Sequence, residues 1–166
     1  MGENVRRRIV GMLVEDKPGV MQRISGMFTR RGFNIDTIAV GKSETPGISR
    51  ITLSMTCDEN TLEKTIKQLH KIIEVIRVIK MVEKGSVVRE LCLVKAHVKD
   101  DNARLQVMKY ADVFKGKVVD ISPNSMTVQL VGTPEKIDDL LDLLRPFGMK
   151  EVARTGIVAI SRDPKR

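Results

Sequence analysis

The sequence predicts an α+β protein made of two ferredoxin-like βαββαβ modules, and three observations carry that expectation. Apolar runs of strand length alternate with stripes of apolar residues at helical spacing. The same order of elements occurs on both sides of the polar stretch Glu83-Lys84-Gly85-Ser86. The 166 residues are enough for two modules of ~80 residues, a size that folds alone although marginally. The expected organisation is an N-terminal module over 1–82, a linker over 83–89 and a C-terminal module over 90–166.

Arg8 to Val14 is a near-continuous apolar run that suits a central strand. Glu15-Asp16-Lys17-Pro18-Gly19 is a turn that starts a helix, with Asp16 as a candidate cap and Pro18 where a missing N–H costs nothing. Val20, Ile24, Met27 and Phe28 make one buried face, and Gly32 ends the helix as a left-handed cap. Asn34 to Gly41 is a second strand and Glu44-Thr45-Pro46-Gly47 a turn. Ile51, Leu53, Met55 and Cys57 then alternate with Arg50, Thr52, Ser54 and Thr56, which predicts a strand with one wet face. Asp58-Glu59-Asn60 opens a helix with the stripe Leu62, Ile66, Leu69 and Ile73, and Val75 to Ile79 is the fourth strand.

The second half repeats the order without repeating the residues. Glu90 to Val98 is a strand, Leu105, Val107, Met108, Ala111 and Phe114 mark a helix, and Lys117 to Ile121 is a strand closed by Ser122-Pro123-Asn124-Ser125. Met126, Val128 and Leu130 alternate with Thr127 and Gln129. Thr133-Pro134 caps a helix with Ile137, Leu140, Leu141 and Leu144 on one face, and residues 150–161 supply a last strand. Modules of this kind leave a sheet face and edges open, so a partner or a second copy is expected.

With 42% hydrophobic residues the chain can bury a core, and no apolar run approaches the ~20 residues of a membrane span. The three arginines before Ile9 lead into a short apolar stretch with no cleavage site behind it, so a secretory signal is not expected. Cys57 and Cys92, without a Cys-x-x-Cys or a histidine pair, read as buried free thiols in a reducing compartment, which places the chain in the cytoplasm. The balance of 29 Lys+Arg against 21 Asp+Glu gives +8 and raises nucleic acid as a partner. Four Phe, one Tyr and no Trp leave little to stack on bases. The RNA-recognition fold shares the βαββαβ order, but its aromatic strand positions are here Arg50, Thr52, Ser54 and Thr56, or Thr127 and Gln129. No nucleic acid is therefore expected, and the charge reads as complementarity to a protein partner that weakens with salt.

Catalysis needs converging titratable groups, and few are offered. His70 and His97 stand alone and read as structural, no zinc spacing occurs, and Asp138-Asp139-Asp142 fall on the outer side of the last helix as solvated carboxylates. Gly41-Lys42-Ser43 is not a phosphate loop, because Asp36 stands where its first glycine belongs and Pro46-Gly47 replaces the helix. What remains is the turn at residues 16–19 and the corner Gly32-Phe33-Asn34-Ile35. A turn entering a helix presents backbone N–H groups and a positive dipole end to a small carboxylate, and Asp16 could pair with an ammonium group. Taken alone, Pro18, Gly19 and Asn34 serve equally as punctuation of the chain.

Asp16-Lys17-Pro18-Gly19-Val20, followed by Phe28-Thr29-Arg30-Arg31-Gly32-Phe33-Asn34-Ile35, resembles the ACT-domain pattern in the version of the small regulatory subunits of acetolactate synthase (acetohydroxyacid synthase). The resemblance continues through Ser43 to Arg50, Gln68 to Lys71, Arg89 to Lys95, Phe114 to Asp120 and Val152 to Ala159, nearly the whole chain. It implies an N-terminal ACT domain, a C-terminal α/β-plait domain and a non-catalytic subunit. Such a subunit activates a large catalytic subunit and confers feedback inhibition by a branched-chain amino acid, typically valine, in valine, leucine and isoleucine biosynthesis. Thiamine diphosphate, magnesium and FAD are implied on the large subunit and none on this chain. Two ACT domains are implied to pair side by side, with the effector held between Asp16, Gly19, Val20 and Met21 of one protomer and Asn34 with Ile35 of the other. Asp16 stands where many relatives carry Asn; a carboxylate there favours an ammonium and disfavours the ligand's own carboxylate. The alternative is a free-standing ACT-type sensor for a different small amino acid.

Overall fold

The computed structural model describes residues 4–82 and 85–163. They form two compact units, one holding the N-terminal part through Val87 together with the C-terminal residues from Ile157, the other Val88–Gly156. Each carries four antiparallel strands and two helices in the βαββαβ order, and a ninth strand pairs with the second sheet.

In the first unit β1 (Arg6–Glu15), α1 (Val20–Arg31), β2 (Thr37–Lys42), β3 (Ile48–Cys57), α2 (Glu59–Leu69) and β4 (Val75–Met81) give the strand order β2-β3-β1-β4. Val10 lies opposite Leu53 and Met12 opposite Ile51, so two central strands turn the same alternate residues toward the helices. Those residues pack with Ile24, Phe28, Leu62 and Leu69, all 2% exposed or less. Burial of each such side chain contributes roughly 1.5–3 kcal/mol. The helix ends follow from local chemistry. Gly32 sits at φ 66 and its N–H reaches the carbonyls of Phe28 and Thr29, a conformation that glycine adopts without a steric penalty. Asp58 accepts the Thr61 N–H at 2.7 Å and caps α2.

In the second unit β5 (Ser86–His97), α3 (Asp101–Val113), β6 (Lys117–Ser122), β7 (Ser125–Gly132), α4 (Pro134–Leu144) and β8 (Met149–Arg154) give the equivalent order β6-β7-β5-β8. Cys92, Val94, Val128, Leu130, Ile137 and Leu140 form its core. Thr133 caps α4 through the Lys136 N–H, with Pro134 in the first turn.

Several expectations are corrected. The last strand expected over 150–161 is two strands, β8 and β9 (Val158–Ser161); β9 pairs with β5, and its residues fall within the first compact unit. The side of β3 expected to be wet is covered at its middle: Thr52 and Ser54 are 2% and 0% exposed, while Arg50 is half-buried and Thr56 is exposed. The Ile157 N–H lies 3.5 Å from Thr37 Oγ1, which shares a 2.7 Å hydrogen bond with Ser54 Oγ, and Ile157 and Ala159 are themselves buried. The two hydroxyls satisfy each other where water is excluded. α2 stops at Leu69, so Ile73 lies beyond the stripe and is 88% exposed. Leu105 and Met108 lie on the outer face of α3, while Val107 and Ala111 face the core. The second strand begins at Thr37, not Asn34, and β5 begins at Ser86, inside the expected linker. Glu83 and Lys84 lie outside the described residues. Among the described residues no helix is long and apolar enough to cross a membrane.

Candidate functional site

The turn between β1 and α1 is held from both sides. The Asp16 N–H donates to Gly47 O at 2.9 Å, tying it to the turn before β3, and the Lys17 N–H donates to Glu15 O at 3.0 Å. Gly19 then occupies the left-handed region at φ 87, ψ −13, and no side chain caps the helix it opens. The cap expected from Asp16 is therefore not made, because the left-handed step at Gly19 intervenes between the Asp16 side chain and the first helical turn. The first helical bond runs from the Arg23 N–H to Gly19 O at 3.0 Å, and the N–H groups of Gly19 and Met21 find no acceptor among the described residues. Uncapped N–H groups at the positive end of a 12-residue helix suit a carboxylate.

Each candidate residue has a distinct place. Asp16 and Gly19 are exposed, and Met21 is exposed on the first turn of α1. Val20 is 3% exposed with its side chain in the core, so only its backbone faces outward. Asn34 and Ile35 lie past the other end of α1. Asn34 is exposed and its Nδ2 donates to Asp36 Oδ1 at 3.4 Å, while Thr56 Oγ1 donates to Asp36 Oδ2 at 2.7 Å. Ile35 packs partly buried on the core. A helix of this length spans about 18 Å, so one chain does not bring the two groups together.

Two charged residues beside the turn carry no local signal in the sequence. Arg23 pairs with Glu74 at 3.1 Å, and Glu74 Oε2 is buried without a partner. Their meeting depends on β4 lying beside β1, where the Glu15 N–H donates to Glu74 O at 2.9 Å. Lys17 pairs with Glu15 at 2.7 Å, and that hydrogen bond holds its pKa above the ordinary lysine value.

His70 is exposed at the end of α2, and His97 Nδ1 lies 2.8 Å from Asn124 O. Burial pushes the Cys57 and Cys92 thiols up, away from the thiolate a nucleophile needs. Asp138, expected to be solvated, instead meets Arg154 at 2.6 Å, and Arg154 also makes a two-pronged pair with Glu90, both bonds 2.8 Å. These bonds tie β8 to β5 and α4 and raise the Arg154 pKa further. Among the described residues no cluster of three or more His, Cys, Asp or Glu is placed to hold a metal.

Two family models match the chain: the AHAS small subunit-like ACT domain over residues 10–77 and the small subunit of acetolactate synthase over residues 89–163. A probable acetolactate synthase small subunit of Methanothermobacter thermautotrophicus is 51% identical over 95% of this chain and 94% of its own length. The acetolactate synthase small subunit of Mycolicibacterium smegmatis is 42% identical over 99% of this chain and 96% of that protein. The crystal structure of the Thermotoga maritima acetolactate synthase small subunit superposes with a TM-score of 0.88 at 37% identity, covering 96% of this chain and 99% of that one.

Proposed function

Because the chain belongs to the acetolactate synthase small-subunit family, we propose that it raises the activity of the large catalytic subunit and transmits feedback inhibition by valine. Family membership carries a regulatory role in branched-chain amino acid biosynthesis and a large-subunit partner. The reaction, two pyruvates condensing to acetolactate with loss of carbon dioxide, belongs to that partner, as do thiamine diphosphate, magnesium and FAD. We place the assembly in the cytoplasm.

The observation that carries the effector reading is the uncapped start of α1 at Gly19. Its free N–H groups offer a carboxylate two donors and a helix dipole end. Asn34 and Ile35 are held about a helix length away, so a second copy must supply them. β2 is an edge strand with Val40 52% exposed, which suits two first units pairing edge to edge into one continuous sheet. Valine then sits between protomers, its carboxylate on the unengaged N–H groups of Gly19 and Met21, its ammonium near Asp16, and Asn34 on its polar end; the Val20 N–H, expected to share the carboxylate, already points to Lys17 O at 3.5 Å. Bound there, it favours one arrangement of the pair over another. It alters activity only to the extent that it binds the two arrangements unequally. The test is the rate of acetolactate formation by the large subunit alone, with the chain, and with chain and valine. A higher rate with the chain that valine lowers supports the proposal; association without any change in rate overturns it. A free-standing sensor for another amino acid is supported by absence of association together with binding of a different ligand.

A further inference from the structure

Three carboxylates stand around the turn that opens α1. Glu15 ends β1, Asp16 follows it, and Glu74 lies just before β4, where its main-chain carbonyl takes the Glu15 N–H at 2.9 Å. Two cations answer them. Lys17 pairs with Glu15 at 2.7 Å and Arg23 with Glu74 at 3.1 Å, while the exposed Asp16 carboxylate has no partner among the described residues. The Lys17 pKa is held up first by Glu15 and least by Glu74, so Glu74 depends on Arg23 for its compensation. The Glu74 side chain is 15% exposed and its Oε2 is buried without a partner. A carboxylate held out of water keeps its field on neighbouring groups unless a counter-charge sits beside it. Arg23 also belongs to the helix opening, since its N–H makes the first helical bond to Gly19 O at 3.0 Å.

We propose that Arg23 is a positioning residue of the effector site that acts through Glu74; this rests on the effector reading above. By neutralising Glu74, it keeps the open start of α1 attractive to an anion and leaves Asp16 as the unpaired acid of the turn. The resulting charge pattern fits an α-amino acid. The N–H groups of Gly19 and Met21 and the helix dipole face its carboxylate, and Asp16 faces its ammonium. Without Arg23, Glu74 becomes a second uncompensated negative charge beside the same N–H groups and opposes the ligand's carboxylate, as like charges set together in any binding site do. The role is therefore electrostatic: what the site needs from Arg23 is the cancellation of one specific carboxylate, and removing that carboxylate removes the need.

The test is the valine affinity of the full-length chain by calorimetry at about 50 and 300 mM salt. Wild type is compared with Arg23→Gln, Arg23→Lys, Glu74→Gln and the double variant Arg23→Gln with Glu74→Gln. Lys64→Gln, which removes an exposed cation from α2, is the charge-matched control. The Arg23 side chain is 63% exposed, so its replacement leaves the core intact. The expected result is at least a fivefold loss in Arg23→Gln at the lower salt and a smaller loss at the higher, where the repulsion is screened. Arg23→Lys and the control stay within about twofold of wild type, Glu74→Gln loses nothing, and the double variant recovers to within about twofold. A packing role for Arg23 would leave the double variant as weak as the single and the loss indifferent to salt. Either result overturns the proposal, as does unchanged affinity in Arg23→Gln, and each leaves the effector site standing. No valine binding by wild type overturns the effector reading and this proposal together.

Discussion

The two units share a strand order and differ at the same point of it, the start of the first helix. In the second unit Asp100 accepts the Ala103 N–H at 2.7 Å, so the first turn of α3 satisfies itself. In the first unit Gly19 takes the equivalent place in a left-handed conformation and no side chain caps α1. The sheet faces differ in the same sense. On the helix-free face of the first sheet Thr52 and Ser54 are buried, with the Ile157 N–H beside Thr37, whereas that of the second shows Leu93 and Val131, 38% and 53% exposed, beside the exposed pair Lys95 and Glu151. One fold is thus used twice. The first unit is closed on its sheet and left open at a helix end; the second is closed at the helix end and open on its sheet. A regulator needs both a ligand site and a surface that holds shape, and the proposed effector site falls in the first unit.

The largest effect expected from breaking this contrast lies in the second unit. Arg154→Ala leaves Glu90, whose side chain is 2% exposed, buried without its partner. Such a loss costs about 3 kcal/mol, seen as a lower urea midpoint and faster amide exchange in β8. Replacing both partners, Arg154→Met with Glu90→Leu, restores most of it; a double variant as unstable as the single would show that the pair is not the cause. Next comes Gly19→Asp, which sets a negative charge at the open helix end. Valine inhibition should weaken at least 30-fold while activation of the large subunit persists. Gly19→Ala separates charge from strain: open space surrounds a Cβ there but the backbone is left-handed, so stability falls by about 1 kcal/mol and inhibition remains. Retained inhibition in Gly19→Asp moves the site elsewhere.

Asp100→Ala should cost about 1 kcal/mol and leave the valine response unchanged, because the proposed effector site is at the start of α1, not of α3. A shifted valine response in that variant would break the division between the units. The smallest effect is kinetic. Cys57 and Cys92, 7% and 1% exposed, should react with iodoacetamide at pH 8 only as fast as the chain opens. Labelling at the rate of a free thiol contradicts their burial.

Much of this was readable from neighbouring residues. The stripe Val20, Ile24, Met27 and Phe28 predicts α1 and its buried face, and Thr133-Pro134 predicts the cap of α4, because both depend on contacts within a turn or two. What failed to read depends on distant chain. Thr52 and Ser54 alternate as solvent-facing residues should, yet both are buried, and the Ile157 N–H beside Thr37, the partner of Ser54, comes from more than a hundred positions later. Arg154 is 64 positions from Glu90, so neither residue announces the pair. Asp16 looked like a cap because Asp often is one; the left-handed step at Gly19 is a backbone choice that residue type permits without requiring it. For the candidate site, both segments were legible as a family pattern, yet their separation by the length of α1 appears only once the helix is built.

The central claim is that valine bound at the open end of α1 is coupled to engagement of the large subunit. Calorimetric titration of valine into the free chain and into its complex with the large subunit tests it most directly. The account predicts two different valine affinities, related by the factor through which valine shifts partner affinity. Equal affinities, in a complex whose activity valine still strongly suppresses, would contradict it.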